Sequence, residues 1–229
     1  MKPWTLLGSA AIPGDGGEMR LYQRDTEYSI RVGSYELMNS RVHGSEDALA
    51  SLVCERLTTR NGVRILIGGL GMGFTLAAVL RDAGTDSEVV ISELVPEVVA
   101  WHRGPLRAVS GTTLDDPRVT IRQEDVGRII RASTNTFDAI ILDVDNGPRA
   151  LTSKQNEWLY GAAGLRAAHT ALGPSGILAV WSAGPDPAFT RRLEQCGFKA
   201  EEVPVRGRGA KGGFRYLIWI ARRIDVTGS

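Results

Sequence analysis

A run of closely spaced glycines is the first feature of this sequence that could do chemistry. The run G-G-L-G-M-G occupies residues 68–73 and follows the predicted strand 63–67. Glycines let a backbone turn tightly and approach a ligand, and the amides of a following helix can bind that ligand. A tight turn used only for packing is the alternative. The residues that we predict to bind a nucleoside here are Gly68, Gly69, Leu70, Gly71 and Gly73.

Two carboxylates follow the next two predicted strands. Glu93 ends the second strand, where a carboxylate can accept hydrogen bonds from both hydroxyls of a ribose. We predict that Glu93 and its neighbour Leu94 bind the ribose. Asp125 follows the third strand, where an aspartate can accept a hydrogen bond from the amine of adenine, with Val126 beside it. The alternative for Asp125 is an N-cap of the next helix, and both roles can hold.

Two further carboxylates follow the fourth strand, in the segment D-V-D-N-G-P at residues 143–148. Ligands of open α/β sheets lie beyond the carboxyl ends of the strands, so Asp143 is expected to face the reacting group and to hold an amine or remove its proton. We predict that Asp145, Asn146 and Tyr160 contact the substrate. The alternatives are a turn rich in Asp, Asn, Gly and Pro, and a core position for Tyr160.

Other residues are predicted to wall the pocket or to lie near it. Residues 38–45 and the two tryptophans Trp158 and Trp181 are candidate walls, with a core role as the alternative for Trp158. Arg206, Arg208 and Lys211 form a basic run near the end of the chain. A solvated loop is the expected role of that run, and binding of an anionic substrate is the alternative.

The elements that must position these residues alternate between strand and helix from residue 63 onwards, which predicts a doubly wound α/β sheet. Two strands in succession close the chain, which indicates a final antiparallel hairpin. We therefore predict a seven-stranded class I AdoMet-dependent methyltransferase (Rossmann-like) fold at 45–229, after a small N-terminal β region at 1–44 that contains a hairpin. The predicted strands are 63–67, 88–91, 119–121, 137–142, 176–181, 199–205 and 214–221. One predicted helix begins at residue 45, and the others span 71–80, 96–101, 126–131, 155–172 and 187–196.

The bulk properties limit the classes of partner. The 229 residues carry a formal net charge of +1 and are 43% hydrophobic, with no long apolar run. We therefore expect a cytoplasmic protein that binds no nucleic acid and no membrane. Neither the two cysteines nor the three histidines have metal-ligand spacing, so no metal is expected. A homodimer is predicted because the small N-terminal region is too small to bury a core of its own and must pack against another surface.

In order and spacing, these motifs resemble the spermidine synthase (polyamine aminopropyltransferase) family over most of residues 20–185. The resemblance implies that Glu93 binds the ribose hydroxyls, that Asp125 binds the adenine amine, and that Asp143 contacts the nucleophilic amine and serves as the base. Two departures matter. Gly71 stands where the family carries an aspartate that helps to hold the aminopropyl end, and the segment at 143–148 is shorter than the family motif.

The lost aspartate shifts the expected reaction. It removes a reason to prefer decarboxylated S-adenosylmethionine and a repulsion against the carboxylate of S-adenosyl-L-methionine (AdoMet) itself. The leading prediction is therefore an AdoMet-dependent methyltransferase that acts on a small molecule, which we expect to bear an amine. The alternatives are aminopropyl transfer from decarboxylated AdoMet to a diamine, aminocarboxypropyl transfer, and a nucleoside-binding protein without catalysis.

Overall fold

The computed structural model describes residues 2–14, 17–57, 62–144, 147–148, 158–207 and 212–224. A four-stranded antiparallel sheet comes first in the chain, with its strands in sequential order. Its strands are β1 (Thr5–Ala11), β2 (Glu18–Arg24), β3 (Glu27–Val32) and β4 (Tyr35–Asn39). The predicted hairpin is β2–β3, and it turns at Asp25 with φ 55°. The strands β1 and β4 were not predicted, because neither shows a regular alternation of apolar and polar residues.

A second sheet of seven strands forms the body of the protein, in the order β10-β11-β9-β8-β5-β6-β7. Its strands are β5 (Arg64–Gly68), β6 (Glu88–Ser92), β7 (Val119–Arg122), β8 (Phe137–Leu142), β9 (Leu172–Ser182), β10 (Phe198–Arg206) and β11 (Arg215–Arg223). The helices are α1 (Gly44–Leu57), α2 (Phe74–Asp82), α3 (Pro96–Arg103), α4 (Arg107–Ser110), α5 (Val126–Arg131), α6 (Ala162–Ala171) and α7 (Pro187–Gln195), with a 3-10 turn at Thr113–Asp115.

The predicted fold is confirmed. The strands β5 to β9 run parallel, and β11 pairs antiparallel with both β9 and β10, which is the predicted final hairpin. Central strands such as β8 are almost wholly buried, as a parallel sheet covered on both faces requires. The chain order reverses between β5 and β8, so the crevice beyond their carboxyl ends is where a ligand is expected.

One predicted element differs from the structure. The sequence predicts a single helix over 155–172, of which residues 155–157 lie outside the described residues. In the described part the helix breaks at Gly161, whose backbone is extended (φ −78°, ψ 164°), and α6 starts one residue later. Leu172 already belongs to β9, where it pairs with Phe137 of β8. Strand pairing therefore overrides the helical pattern at the end of this segment.

The four-stranded sheet packs against the body of the protein, near the carboxyl ends of the parallel strands of the seven-stranded sheet. A Cβ atom at Gly8 in β1 would lie 2.7 Å from Nε1 of Trp101 in α3, so only glycine allows this approach. The amide of Gly44 donates a 2.8 Å hydrogen bond to the carbonyl of Gly207, after β10. These contacts bring β4 and the first turn of α1 over the glycine run.

Candidate active site

The glycine run forms the turn between β5 and α2, and three of its glycines have left-handed backbones. Gly69, Gly71 and Gly73 have φ values of 89°, 51° and 80°. A Cβ atom at Gly69 would lie 2.5 Å from the carbonyl oxygen of Asp143, so the turn passes directly over the end of β8. Because residues with a Cβ atom rarely adopt these angles, the glycines are needed for the shape of the turn.

Glu93 joins the end of β6 to the glycine turn. Its Oε2 accepts a 3.0 Å hydrogen bond from the amide of Leu70, and its Oε1 accepts a 2.8 Å bond from the amide of Val95. The side chain is buried, and burial raises the pKa of Glu93 although backbone amides oppose the shift. Each carboxylate oxygen has a second lone pair, so ribose hydroxyls can still be accepted. Leu94 beside it is 36% exposed.

Asp125 is the N-cap of α5. Its Oδ1 accepts a 3.0 Å hydrogen bond from the amide of Arg128, which is the capping role weighed as the alternative. The adenine role stays a prediction, and the neighbourhood suits a flat base. The ring of Trp158 lies 3.1 Å from the position of a Cβ atom at Gly127, and the Arg131 guanidinium lies 4.1 Å above that ring. Val126 is buried beside Gly68.

Asp143 lies at the switch point, where its amide donates a 3.1 Å hydrogen bond to the carbonyl of Gly68. The hydroxyl of Thr75, in the first turn of α2, donates a 2.6 Å hydrogen bond to Oδ2 of Asp143. Burial raises the pKa of Asp143, and the Thr75 hydroxyl opposes that shift. A carboxylate held in this way at the strand ends is well placed to accept a proton from a bound amine.

Glu46 is a second carboxylate beside Asp143, and the sequence pattern did not indicate it as a site residue. It lies in the first turn of α1, is 9% exposed, and accepts a 2.5 Å hydrogen bond from the Ser45 hydroxyl. Burial and the negative charge of Asp143 raise the pKa of Glu46 to about 7. The acid at a helix N-terminus looked like an ordinary capping feature, so only the tertiary structure reveals this pairing.

The remaining predicted substrate residues have different outcomes. Asp145 and Asn146 lie outside the described residues, as do Arg208 and Lys211. Tyr160 is 2% exposed, and its hydroxyl donates a 3.0 Å hydrogen bond to the carbonyl of Val144. This position agrees with the core alternative for Tyr160, where it supports the backbone next to Asp143. Its contact with substrate stays a prediction.

Several predicted wall residues do gather at the glycine turn. Met38 of β4 is closest, because a Cβ atom at Gly71 would lie 2.8 Å from both its Sδ and its Cε. His43 stacks on Phe74, with ring centroids 4.3 Å apart. Trp181 at the end of β9 lies against Tyr216 of β11, with ring centroids 5.0 Å apart. Met38 and His43 therefore lie at the glycine turn, whereas Trp181 lies at the end of β9.

His102 supports the turn from below, and its role was not predicted. Its Nε2 lies 2.9 Å from the carbonyl oxygen of Gly71, and its Cε1 lies 2.7 Å from the position of a Cβ atom at Gly73. Burial lowers the pKa of His102, and Nε2 donates the hydrogen bond because the carbonyl oxygen of Gly71 can only accept. A lone histidine in a helix gives no sequence signal for such a contact.

Two features are absent from the described part of the chain, namely a metal-ligand cluster and a helix that could span a membrane. No group of three His, Cys, Asp or Glu side chains there could hold a metal ion. Within the same ranges, no helix is long and apolar enough to cross a membrane.

Comparisons with known proteins give the family. The spermine/spermidine synthase domain matches residues 45–189. Polyamine aminopropyltransferase 1 of Streptomyces coelicolor is 32% identical over 149 residues, which are 62% of this chain and 27% of the relative. The polyamine aminopropyltransferase of Mycobacterium tuberculosis is 30% identical over 124 residues, which are 53% of this chain and 23% of the relative. The chain therefore spans about a quarter of the length of the curated relatives that it matches.

The solved structures agree on the fold. The spermidine synthase of Thermotoga maritima superimposes with a TM-score of 0.74 at 19% identity, covering 96% of this chain and 73% of that one. At this identity the likeness concerns the fold alone, but it extends through both sheets. The domain match covers more than half of the sequence, so this chain belongs to the spermine/spermidine synthase family.

Proposed function

We propose that this protein is an aminopropyltransferase of the spermidine synthase type, which uses decarboxylated AdoMet and a diamine. The names of the curated relatives support this alternative over methyl transfer, which was the leading prediction from the sequence. The observation that carries the proposal is the acidic end of the site. Asp143 and Glu46 lie together there, and the described residues offer neither of them an ion pair with arginine or lysine.

The nucleoside half of the ligand fits the glycine turn. The left-handed glycines leave no Cβ atom in the way, and the Glu93 carboxylate lies at the edge of the turn with lone pairs that can accept from ribose hydroxyls. We propose that Asp125 and Val126 bound the adenine, next to the ring of Trp158. In this arrangement the ligand lies across the strand ends from β7 towards β8.

The transfer itself needs positioning and one proton acceptor. A sulfonium supplies an activated carbon, which the amine nitrogen attacks while the carbon–sulfur bond breaks and its electron pair stays on the sulfur. Asp143 accepts the proton that the attacking nitrogen loses, and the Thr75 hydroxyl keeps the carboxylate oriented during the step. Burial near the end of β8 limits water and contributes through the fixed geometry of the reactants.

The same carboxylates argue against AdoMet as the donor. The amino-acid end of AdoMet carries a carboxylate, which would be repelled by a negative charge on Asp143 or Glu46 in a poorly solvated site. The loss of the loop aspartate at Gly71 favoured methyl transfer when the sequence was considered alone. Glu46 is a second carboxylate on which the charge of Asp143 acts, so the site keeps another acidic group and this argument for methyl transfer loses its weight.

Identification of the by-product tests the proposal. The protein would be incubated with 1,4-diaminobutane and either decarboxylated AdoMet or AdoMet, and the products identified by mass spectrometry. We expect methylthioadenosine and an aminopropylated diamine from decarboxylated AdoMet only. S-adenosylhomocysteine formed from AdoMet would instead establish methyl transfer. A D143N variant provides the control for the uncatalysed reaction.

We also propose a homodimer in the cytoplasm. The four-stranded sheet leaves apolar side chains in solvent, including Leu6 at 51% and Tyr35 at 76% exposure. These two residues lie on the edge strands β1 and β4, and exposed apolar groups there favour contact with a second chain. Light scattering coupled to size-exclusion chromatography checks this, with a mass of twice 24.7 kDa expected and the monomer mass contradicting it.

A further inference from the structure

Glu46 has a position that stability alone does not explain. It is a carboxylate with 9% exposure, and its hydrogen-bond partner is the neutral hydroxyl of Ser45. The start of its helix lies against the start of α2, because His43 stacks on Phe74. The next residue, Thr75, bonds to the half-buried Asp143, whose negative charge acts on Glu46. The described residues give neither carboxylate a lysine or arginine within ion-pair distance. Two carboxylates whose charges interact in a poorly solvated site cannot both ionise without cost, so the pair holds either a proton or a cation.

The place of this pair in the site indicates which part of the ligand it meets. Glu93 contacts the glycine turn from the side of β6, whereas Asp143 contacts it from the side of β8 and bonds to Thr75 at the start of α2. A nucleoside whose ribose lies at Glu93 therefore directs its opposite end, the arm on the sulfur, towards Asp143 and Glu46. The decarboxylated arm ends in a primary ammonium.

The surroundings of the pair fit an ammonium at the end of an alkyl chain. Met38 lies over Gly71 and provides an apolar wall for methylene groups. Burial and the negative charge of Glu46 raise the pKa of Tyr216, and Trp181 lies against Tyr216. The buried Nε1 of Trp181 has no hydrogen-bond partner among the described residues. Carboxylates next to aromatic rings are a common environment for bound amines.

We propose that Glu46, together with Asp143, binds the primary ammonium at the end of the propyl arm of the decarboxylated nucleoside. The proposal rests on the proposed aminopropyltransferase function and names the residue that recognises the donor. In this arrangement Glu46, from α1, provides the carboxylate that the glycine turn lacks at Gly71. Asp143 is then shared between the arm and the attacking amine.

Calorimetric titration with two ligands tests the role of Glu46. Decarboxylated AdoMet carries the arm and its ammonium, whereas 5′-methylthioadenosine keeps the nucleoside but lacks both. For Glu46→Gln we expect the affinity for decarboxylated AdoMet to fall about 10-fold or more, and the affinity for methylthioadenosine to stay within about 2-fold of wild type. The matched control is Glu55→Gln, which changes an exposed carboxylate near the other end of α1 and is expected to alter neither affinity.

A second measurement separates binding of the ammonium from a structural role. Ionisation of the pair is needed to hold the ammonium, so wild-type affinity for decarboxylated AdoMet is expected to rise between pH 6 and pH 8. In Glu46→Gln this rise should be smaller, and the affinity for methylthioadenosine should be flat in both proteins. The groups facing Glu46 that also titrate are Asp143, Asp47 and Tyr216.

Each outcome has a definite meaning. Equal losses of both affinities in Glu46→Gln, or no loss of either, would overturn the assignment while leaving the proposed function intact. An effect confined to the KM of the diamine would overturn it as well, because Glu46 would then bind the acceptor. If wild-type protein bound neither ligand, the proposed function itself would be wrong. Binding of methylthioadenosine by the variant also confirms that it is folded.

Discussion

The two halves of the candidate site differ in the groups that donate hydrogen bonds to their carboxylates. In the nucleoside half, Glu93 accepts hydrogen bonds from two backbone amides, and Asp125 accepts one from the amide of Arg128 in the first turn of α5. In the transfer half, Glu46 and Asp143 each accept a hydrogen bond from a hydroxyl group, and the negative charge of Asp143 acts on Glu46. Backbone amides therefore donate hydrogen bonds to the carboxylates of the first half, whereas a proton or a cation would balance the charge of the second half.

This difference indicates which half of the site is sensitive to the arm that the ligand carries. Backbone amides fix the position of Glu93 and of the glycine turn whatever arm the ligand carries. The acidic pair distinguishes ligands by the charge at the end of the arm, because a low local dielectric strengthens both attraction and repulsion. In the proposed function, the transfer half selects the donor and the other half binds its nucleoside.

The largest effect is expected in the transfer half, from Asp143→Asn. The variant keeps the acceptor for the Thr75 hydroxyl but cannot take a proton, so kcat should fall by about 10²- to 10⁴-fold. Affinity for methylthioadenosine should change by less than about 3-fold, since the nucleoside half is untouched. Single-turnover kinetics and calorimetry check the two numbers. Full activity in this variant would remove Asp143 from the mechanism.

The next effect is expected in the nucleoside half, from Glu93→Gln. An amide places an N–H group against the amide of Leu70 or Val95 and weakens its hold on a ribose, so affinity for methylthioadenosine should fall by about 30-fold. Glu88→Gln, at the exposed start of the same strand, should bind like wild type and is the control. Equal affinities in the two variants would contradict the ribose role.

A smaller effect concerns the pH dependence of stability. The pKa of Glu46 is raised from 4.5 to about 7, so the folded protein holds this proton more tightly than the unfolded chain. The resulting stability is complete below about pH 4.5 and is lost as the pH rises through about 7, by at most about 3 kcal/mol. Urea denaturation at several pH values should show this decline in wild type and a weaker one in Glu46→Gln. An unchanged decline in that variant would assign it to other groups.

The smallest effect distinguishes the two roles of Asp125. Asp125→Ala removes the N-cap and should lower the free energy of unfolding by about 1 kcal/mol, whereas Asp125→Ser keeps a capping oxygen and should stay near wild type. If Asp125 also binds adenine, both variants should lose affinity for methylthioadenosine, because serine is too short to reach the base. Wild-type affinity in Asp125→Ser would restrict this residue to capping.

The same comparison explains how much the sequence could predict. Glu93, Asp125 and Asp143 each follow a strand, and parallel strands bring their carboxyl ends to one edge, so their placement was predictable. Glu46 comes from a helix terminus and was not predicted, whereas Met38 was a predicted wall residue although its strand shows no clear alternation. Their position depends on how the small sheet packs on the body, at contacts such as that of Gly8 with Trp101, which no local pattern encodes.

Gly71 shows how this limit affects a functional conclusion. Considered by itself, the glycine in place of an aspartate predicted methyl transfer, because it removes a negative charge from the turn. In the structure, Met38 covers this glycine, and Glu46 on another element is a second carboxylate on which the charge of Asp143 acts. A function inferred from one missing side chain is unsafe when a side chain distant in sequence can lie close to the same place.

The central claim is that the acidic pair selects a donor without a carboxylate. Parallel calorimetric titrations of the wild-type protein with decarboxylated AdoMet and with AdoMet test it most directly. The account predicts that the decarboxylated donor binds at least about 10-fold more tightly, which corresponds to about 1.4 kcal/mol. Equal affinity, or tighter binding of AdoMet, would contradict it.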